Sequence, residues 1–259
     1  MSRSTSLLWV ALLGLAGALV HVVPASAQSA LQFNGSTQYV RATQSLAASQ
    51  FTVELWFRRD GAGVGTSTGT SGLTSAVPLV AKGAAQADDN LNDLNYFLGI
   101  SSTNTLCADF ENFVAVDNSP NHPLTAATGV NSTISNGVWY HGAVTYDGTV
   151  MKLYLNGNLV AQATLNVTPA AATDSYVALA TTVRSDTFVA AGFFSGAMDE
   201  VRIWNVALSQ CQIIGSMNLE LTAGAGLIGR WGLNDGSGLI ATNSIGGAPS
   251  GNLLPAGTP

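Results

Sequence analysis

From residue 51 the chain alternates cleanly. Phe51, Val53, Leu55 and Phe57 are apolar, and Thr52, Glu54 and Trp56 lie between them. A period of two puts the odd set on one face of a strand, toward a core, and the even set on the other. The outward face then carries one large aromatic, Trp56. Residues Trp139 to Tyr146 read as a second strand, ended by the tight-turn pair Asp147-Gly148. Val150 to Leu155 alternates again, with Met151, Leu153 and Leu155 opposite Lys152 and Tyr154. Asn156-Gly157 supplies residues that tolerate positive φ, and Leu159-Val160-Ala161 leads back, which predicts a three-strand meander.

Further strands are predicted around Leu31–Phe33, Tyr39–Arg41, Leu79–Lys82, Tyr96–Ile100, Leu106–Phe110, Tyr176–Ala180, Ala197–Trp204 and Leu227–Leu233. Many short strands separated by turn residues imply an all-β, two-sheet antiparallel sandwich or jelly roll rather than a parallel α/β sheet. The Gly/Ser/Thr-rich tract between Gly61 and Ala76 is polar throughout and reads as a mobile loop. One short helix is expected near the C-terminal end. Ser209 and Gln212 have capping-box spacing there, and Leu208 and Ile213 match a hydrophobic staple.

The N-terminus changes the picture by setting a compartment. Arg3, an apolar run from Leu7 to Val20 and the exit Pro24-Ala25-Ser26-Ala27 describe a secretory signal peptide over residues 1–27, cleaved near Ala27-Gln28. The run is too short, and too broken by Gly14 and Gly17, for the roughly 20 residues of a spanning helix. One domain over residues 28–254 and a tail over 255–259 follow. Losing Arg3 with the leader takes the net charge from −6 to −7. Nucleic acid and anionic membranes select basic surfaces, so neither is an expected partner. Cys107 and Cys211 form an even pair in an oxidising compartment, where a disulfide and two separate thiols are both open.

Several segments resemble one family. Leu31-Gln32-Phe33-Asn34-Gly35-Ser36 with Tyr39-Val40 is similar to the opening strand of laminin-G-like jelly rolls, and Phe51 to Phe57 to their second strand. Gly137 to Gly148 resembles the central strand, and Lys152-Leu153-Tyr154-Leu155-Asn156-Gly157 the hairpin after it. Gly196 to Asn205, followed by Leu208-Ser209, looks like the closing strand and helix. Leu227 to Gly238 is similar to a segment that often follows that helix in bacterial exported proteins. The resemblance to concanavalin A-like, laminin-G-like domains implies two antiparallel sheets of about a dozen strands. It also implies a candidate structural Ca2+ near the first and last strands, at Asp199 and the backbone of Asn34 and Gly35. The rival reading has Asp199 accepting backbone N–H groups at a strand irregularity.

Glycoside hydrolases share such folds, and their retaining chemistry needs two carboxylates about 5–5.5 Å apart. Asp109 and Glu111 are the one i, i+2 acidic pair on an expected strand, and its ordinary reading is a strand end facing water. Asp199 and Glu200 are adjacent and would point to opposite faces. The Asp88–Asp93 loop offers alternating oxygens but lacks the EF-hand glycine and glutamate. No catalytic residue set is therefore expected. Outward aromatics are the candidate sugar platforms: Trp56, Tyr140 (or Tyr146, according to register) and Tyr154. The expected function is a secreted, non-catalytic carbohydrate-binding or adhesion module whose partner is a glycan or an extracellular protein. The alternative is a structural or protein-interaction domain of a surface assembly.

Overall fold

The Phe51–Arg59 strand forms where the alternation is cleanest, and it lies inside a seven-stranded sheet. Across that sheet run Asn158–Thr164, Val150–Leu155, Trp139–Tyr146, Phe51–Arg59, Ser195–Trp204 and Leu227–Trp231. Leu31–Asn34 pairs the first half of Ser195–Trp204. The computed structural model describes residues 22–24, 29–85, 92–112 and 121–255. A second sheet of eight strands packs against the first, in the order Ile240–Ala241, Gly251–Pro255, Gln38–Arg41, Val177–Leu179, Ala76–Lys82, Tyr96–Ser101, Leu106–Asp109 and Leu124–Thr125. Neighbouring strands in both are antiparallel, so the architecture is the two-sheet sandwich expected from the periodicity. The two sheets hold more strands than the expected dozen, and two of them, at the rims of the eight-stranded sheet, are only two residues long.

The core between the sheets takes the odd residues of the alternating run: Phe51, Val53, Leu55 and Phe57 are all at most 1% exposed. They meet Leu98, Ile100, Leu106 and Ala108 from the eight-stranded sheet. Phe51, Tyr96, Phe110 and Tyr146 form an aromatic knot with centroids 4.8–6.2 Å apart. Both turns of the meander behave as their residues require. Asp147 Oδ1 accepts the N–H groups of Thr149 and Val150. Asn156 and Gly157 sit at φ 51° and 75°, as a type I′ turn demands.

The even residues of Phe51–Arg59 face away from this core, but half of them do not reach water. The helix Gln210–Ser216 lies across that face, opened by the Ser209/Gln212 capping box. Leu208 and Ile213 pack with Trp204, Tyr154 and Leu227 in a second apolar cluster under it. Beside the cluster is a buried charge network. Glu54 Oε1 accepts Trp204 Nε1–H at 3.0 Å and lies 3.5 Å from Arg202 Nη1. Arg202 and Arg230 share the Glu200 carboxylate, and Arg202 also donates to the carbonyls of Ser216 and Leu219. A register irregularity between Asp199 and Arg202, with Glu200 at φ 51°, accompanies this arrangement.

One segment departs from expectation. The Gly61–Ala76 tract is pinned rather than loose: Val64 bridges to Phe193, Thr66 to Ala76, and Thr68 is buried. It can pack because its glycines let the backbone lie against carboxylates that larger residues would hold off. Cys107 is buried and Cys211 is exposed on the helix, both as free thiols. Of the expected leader only Val22–Pro24 is described, as a strand pairing Leu219–Leu221. The rest of it, and the end of the tail at 256–259, lie outside the described residues.

Candidate ligand-binding face

Strand register builds the candidate site. Gln32 pairs with Ala197, Ala197 with Arg58, and Arg58 with Trp139, so four residues on four neighbouring strands stand in one row. Directly paired residues share a face of the sheet, and this face is the one turned away from the core. Small Ala197 forms the floor between the long side chains. Gly196 beside it can only be glycine, because a Cβ there would lie 2.0 Å from the Arg58 carbonyl oxygen.

The side chains of the row are held in place. Arg58 donates from Nε to Asp60 Oδ1 at 2.8 Å and from Nη2 to Asp60 Oδ2 at 2.9 Å, and Gln32 Nε2 donates to Asp60 Oδ2 at 3.1 Å. The Arg58 hydrogen bonds hold the Asp60 carboxyl below its ordinary pKa, so the pair stays charged. The guanidinium lies 5.5 Å from the centroid of the Trp139 ring, and Trp139 keeps 36% of its surface open. An exposed indole beside a fixed carboxylate, guanidinium and carboxamide offers an apolar surface with donors and acceptors at its rim.

The next row on the same face pairs Asp199 with Trp56 and Trp56 with His141. Trp56 is half-buried, its Nε1–H donating to the Met217 carbonyl at 2.6 Å, and its ring meets His141 edge-on at 5.5 Å. Burial, with Arg202 adding to it, pushes His141 down to about 3, so the imidazole is neutral. Asp199 is pushed up to about 6, chiefly by burial and then by the charge of Glu200.

The structure therefore does not bring the three expected aromatics together. Trp56 flanks the row. Tyr140 turns inward against Phe57, with ring centroids 5.9 Å apart, and Tyr154 is buried in the cluster beneath the helix. Trp139 stands where Tyr140 was expected, since a shift of one residue exchanges the faces of a strand. The signal for it lies in Val144 and Tyr146: both face the core, and counting back in twos puts Tyr140 inside and Trp139 outside.

The candidate metal residues are also separated. Asn34 pairs with Ser195, four residues along the strand from Asp199, or about 13 Å at the usual rise. Asn34 Oδ1 instead accepts the N–H groups of Ser36, Thr37 and Gln38, and Gly35 turns the chain at φ 75°. Among the described residues no group of three or more His, Cys, Asp or Glu is placed to hold a metal ion. Residues 88–91 of the Asp88–Asp93 loop lie outside the described residues.

Asp109 and Glu111 do not face water at a strand end; both are at most 2% exposed. The Thr68–Gly72 segment covers them, and the Thr68 hydroxyl donates to Asp109 Oδ2 at 2.6 Å. Burial pushes Asp109 up to about 7, only partly offset by that bond and by nearby backbone amides.

Comparison with known proteins agrees with the architecture. The family described as the concanavalin A-like lectin/glucanases superfamily matches residues 34–214. A solved structure of a candidate carbohydrate-binding protein from Bacteroides ovatus superposes with a TM-score of 0.58 at 17% identity, over 86% of this chain and 57% of that one. The CBM40 of a Ruminococcus gnavus IT-sialidase, bound to α2,3-sialyllactose, gives 0.50 at 17% identity, covering 72% of this chain and 95% of that one. The NanB sialidase of Streptococcus pneumoniae, in a K499G form, gives 0.51 at 14% identity, covering 71% and 27%. No curated protein sequence matches.

Proposed function

This chain belongs to the concanavalin A-like lectin/glucanases superfamily, and on that premise we propose that it is a non-catalytic glycan-binding module of the cell exterior. The observation that carries the reading is the row Gln32, Arg58 and Trp139 with Asp60 braced behind it. A pyranose ring presents a C–H face that an indole can cover and a rim of hydroxyls. Asp60 accepts from such hydroxyls; Arg58 and Gln32 donate to them. Because the ion pair and the Gln32 contact already fix these groups, little side-chain freedom is lost on binding. Trp56 flanks this surface, and Asp199 widens its polar rim. Tyr140 and Tyr154 support the face by packing rather than by contact with sugar.

The non-catalytic part of the reading is supported by the covered state of Asp109 and Glu111. A hydrolase of this fold must open its carboxylate pair to a polymer, and here backbone lies over the pair. Export rests on the leader read from the sequence. A single open face of this size gives affinity in roughly the micromolar to millimolar range, and repeated copies would supply avidity.

The second reading, a protein-interaction domain, is favoured by a different patch. Phe188 and Val189 are exposed, and Arg41 stacks on the rings of Tyr176 and Phe188. The deciding experiment is a glycan panel probed with the multimerised wild type, Trp139→Ala and Phe188→Ser. The proposal expects binding that Trp139→Ala loses and Phe188→Ser keeps, with both variants folded. Binding untouched by Trp139→Ala would sink the assignment of the face, and no binding to any glycan would favour the protein partner.

A further inference from the structure

The face of the eight-stranded sheet that points away from the core carries a second polar centre, unconnected with the row of Trp139. Asp109 and Glu111 are two residues apart at the end of the Leu106–Asp109 strand, and Asn121 reaches them through the Glu111–Asn121 bridge. All three are at least 95% buried. Glu111 Oε2 accepts the Leu94 N–H at 2.8 Å, and Asn121 Nδ2 donates to the Thr68 carbonyl at 2.9 Å and to Asp109 Oδ2 at 3.3 Å. These donations fix the Asn121 amide, since reversing it would set its oxygen against two other oxygens.

So oriented, Asn121 Oδ1 has no hydrogen-bond partner, and neither has Asp109 Oδ1. Asn121 Oδ1 looks toward Gly69: the Cβ that this glycine lacks would lie 2.7 Å from Asn121 Oδ1 and 2.7 Å from Glu111 Oε1. At Gly72 a Cβ would lie 2.9 Å from Asp109 Oδ2. The loop thus crosses the Asp109 carboxylate at Gly72 and, at Gly69, leaves as a cradle the place of one missing Cβ between Asn121 Oδ1 and Glu111 Oε1. Among the described residues no Lys, Arg or His makes an ion pair with Asp109. Leaving acceptor oxygens buried without donors costs free energy, and placing carboxylates among them costs more.

We propose that this cradle is a calcium site, with Asp109, Glu111 and the Asn121 carbonyl oxygen as its protein ligands beneath the Thr68–Gly72 loop. The donor set is all oxygen, two carboxylates and an amide, which suits a hard cation and gives zinc neither nitrogen nor sulfur. Calcium completes its shell with carbonyls and water, so a cluster of three acidic or imidazole groups is not needed. A bound ion would neutralise Asp109 in its ionised form and tie the glycine-rich loop to the sheet. This site is distinct from the one around Asp199, Asn34 and Gly35.

The test uses the full-length protein stripped with EDTA and passed into metal-free buffer. Calcium bound after equilibrium dialysis is counted, and the melting temperature is read against CaCl2 and MgCl2. The proposal expects one calcium per chain and a saturable rise in melting temperature of several degrees with calcium. Glu111→Gln and Asn121→Ala should each weaken binding at least tenfold, and Asp199→Asn should leave it unchanged. Asp109→Asn should lose the calcium response while melting no lower than stripped wild type, because it removes a buried charge; this keeps the test valid if another variant fails to fold. No bound calcium in the wild type would overturn the proposal. So would a response abolished by Asp199→Asn and kept by Asp109→Asn.

Discussion

Arg202→Met should be the most damaging of the conservative changes to the buried charge network. Methionine keeps most of the apolar stem of Arg202 but removes the guanidinium, which donates to Glu200 Oε2 at 2.9 Å, to the Ser216 carbonyl at 3.0 Å and to the Leu219 carbonyl, and which lies 3.5 Å from Glu54 Oε1. Glu200 keeps Arg230 as its partner. Glu54 keeps only the Trp204 N–H within hydrogen-bond distance and a neutral His141 at 3.5 Å. Fully buried Glu54 is already pushed up by desolvation, with Arg202 the main restraint, so its pKa rises further in the variant. Breaking a buried pair in this way costs about 3–5 kcal/mol, and the two orphaned carbonyls keep the value from the low end. For a domain of this size that is roughly 6–20 °C in Tm. Urea unfolding, followed by tryptophan fluorescence, measures the loss as a shift in midpoint at constant slope. Because the unpaired carboxyl is an acid with a raised folded-state pKa, the deficit should be full at high pH and shrink as pH falls toward the unfolded value. The double variant Glu54→Gln/Arg202→Met should recover part of it. A single-variant loss below about 1 kcal/mol, or no recovery in the double variant, would refute the view that the charges under the helix depend on one another.

Gly196→Ala should unfold the domain or destabilise it by more than about 3 kcal/mol, since the new Cβ meets backbone at 2.0 Å and φ is 148°; a folded variant with near-normal thermal melting would contradict the register given for the ligand face. In chelator, Asp109 should make the protein more stable as pH drops from about 7 toward 4. Its folded-state pKa is about 7 against an ordinary 3.8, so the native chain takes up the proton first, an effect of up to about 4 kcal/mol that Asp109→Asn should flatten. Native labelling with a thiol reagent should modify Cys211 alone, and modification of both cysteines before unfolding would contradict the burial of Cys107.

The sandwich was legible in the sequence because its strongest signals are local. Period two in Phe51–Phe57, the Asp147-Gly148 and Asn156-Gly157 turns and the Ser209 cap each act within a few residues, and each sits where it was expected. What failed to show were properties set by covering layers. Glu54 and Tyr154 read as outward, which they are, but the helix closes over them. Asp109 and Glu111 read as solvated because nothing in Leu106–Phe110 reports that Thr68–Gly72, some 40 residues earlier, folds across them. Trp139 was hidden by a phase ambiguity of one residue, which the inward positions of Val144 and Tyr146 resolve. A regular strand would set Glu200 opposite Asp199, and the irregularity beside it changes where it points.

The two sheets end differently, and that asymmetry governs how the protein would self-associate under stress. The eight-stranded sheet finishes at both sides in strands of two residues, Ile240–Ala241 and Leu124–Thr125, too short to template another chain. The seven-stranded sheet instead finishes in the seven-residue strand Asn158–Thr164, which contains no charged residue and no proline and is exposed or half-buried along its whole length. Its outer row of amide and carbonyl groups has no strand beside it among the described residues. At high protein concentration this rim, rather than the ligand face, is the place where one copy would extend the sheet of another. Gln162→Glu, a charge on the exposed face at the centre of that rim and opposite Lys152, should therefore raise the concentration at which the protein precipitates on warming while leaving glycan affinity untouched.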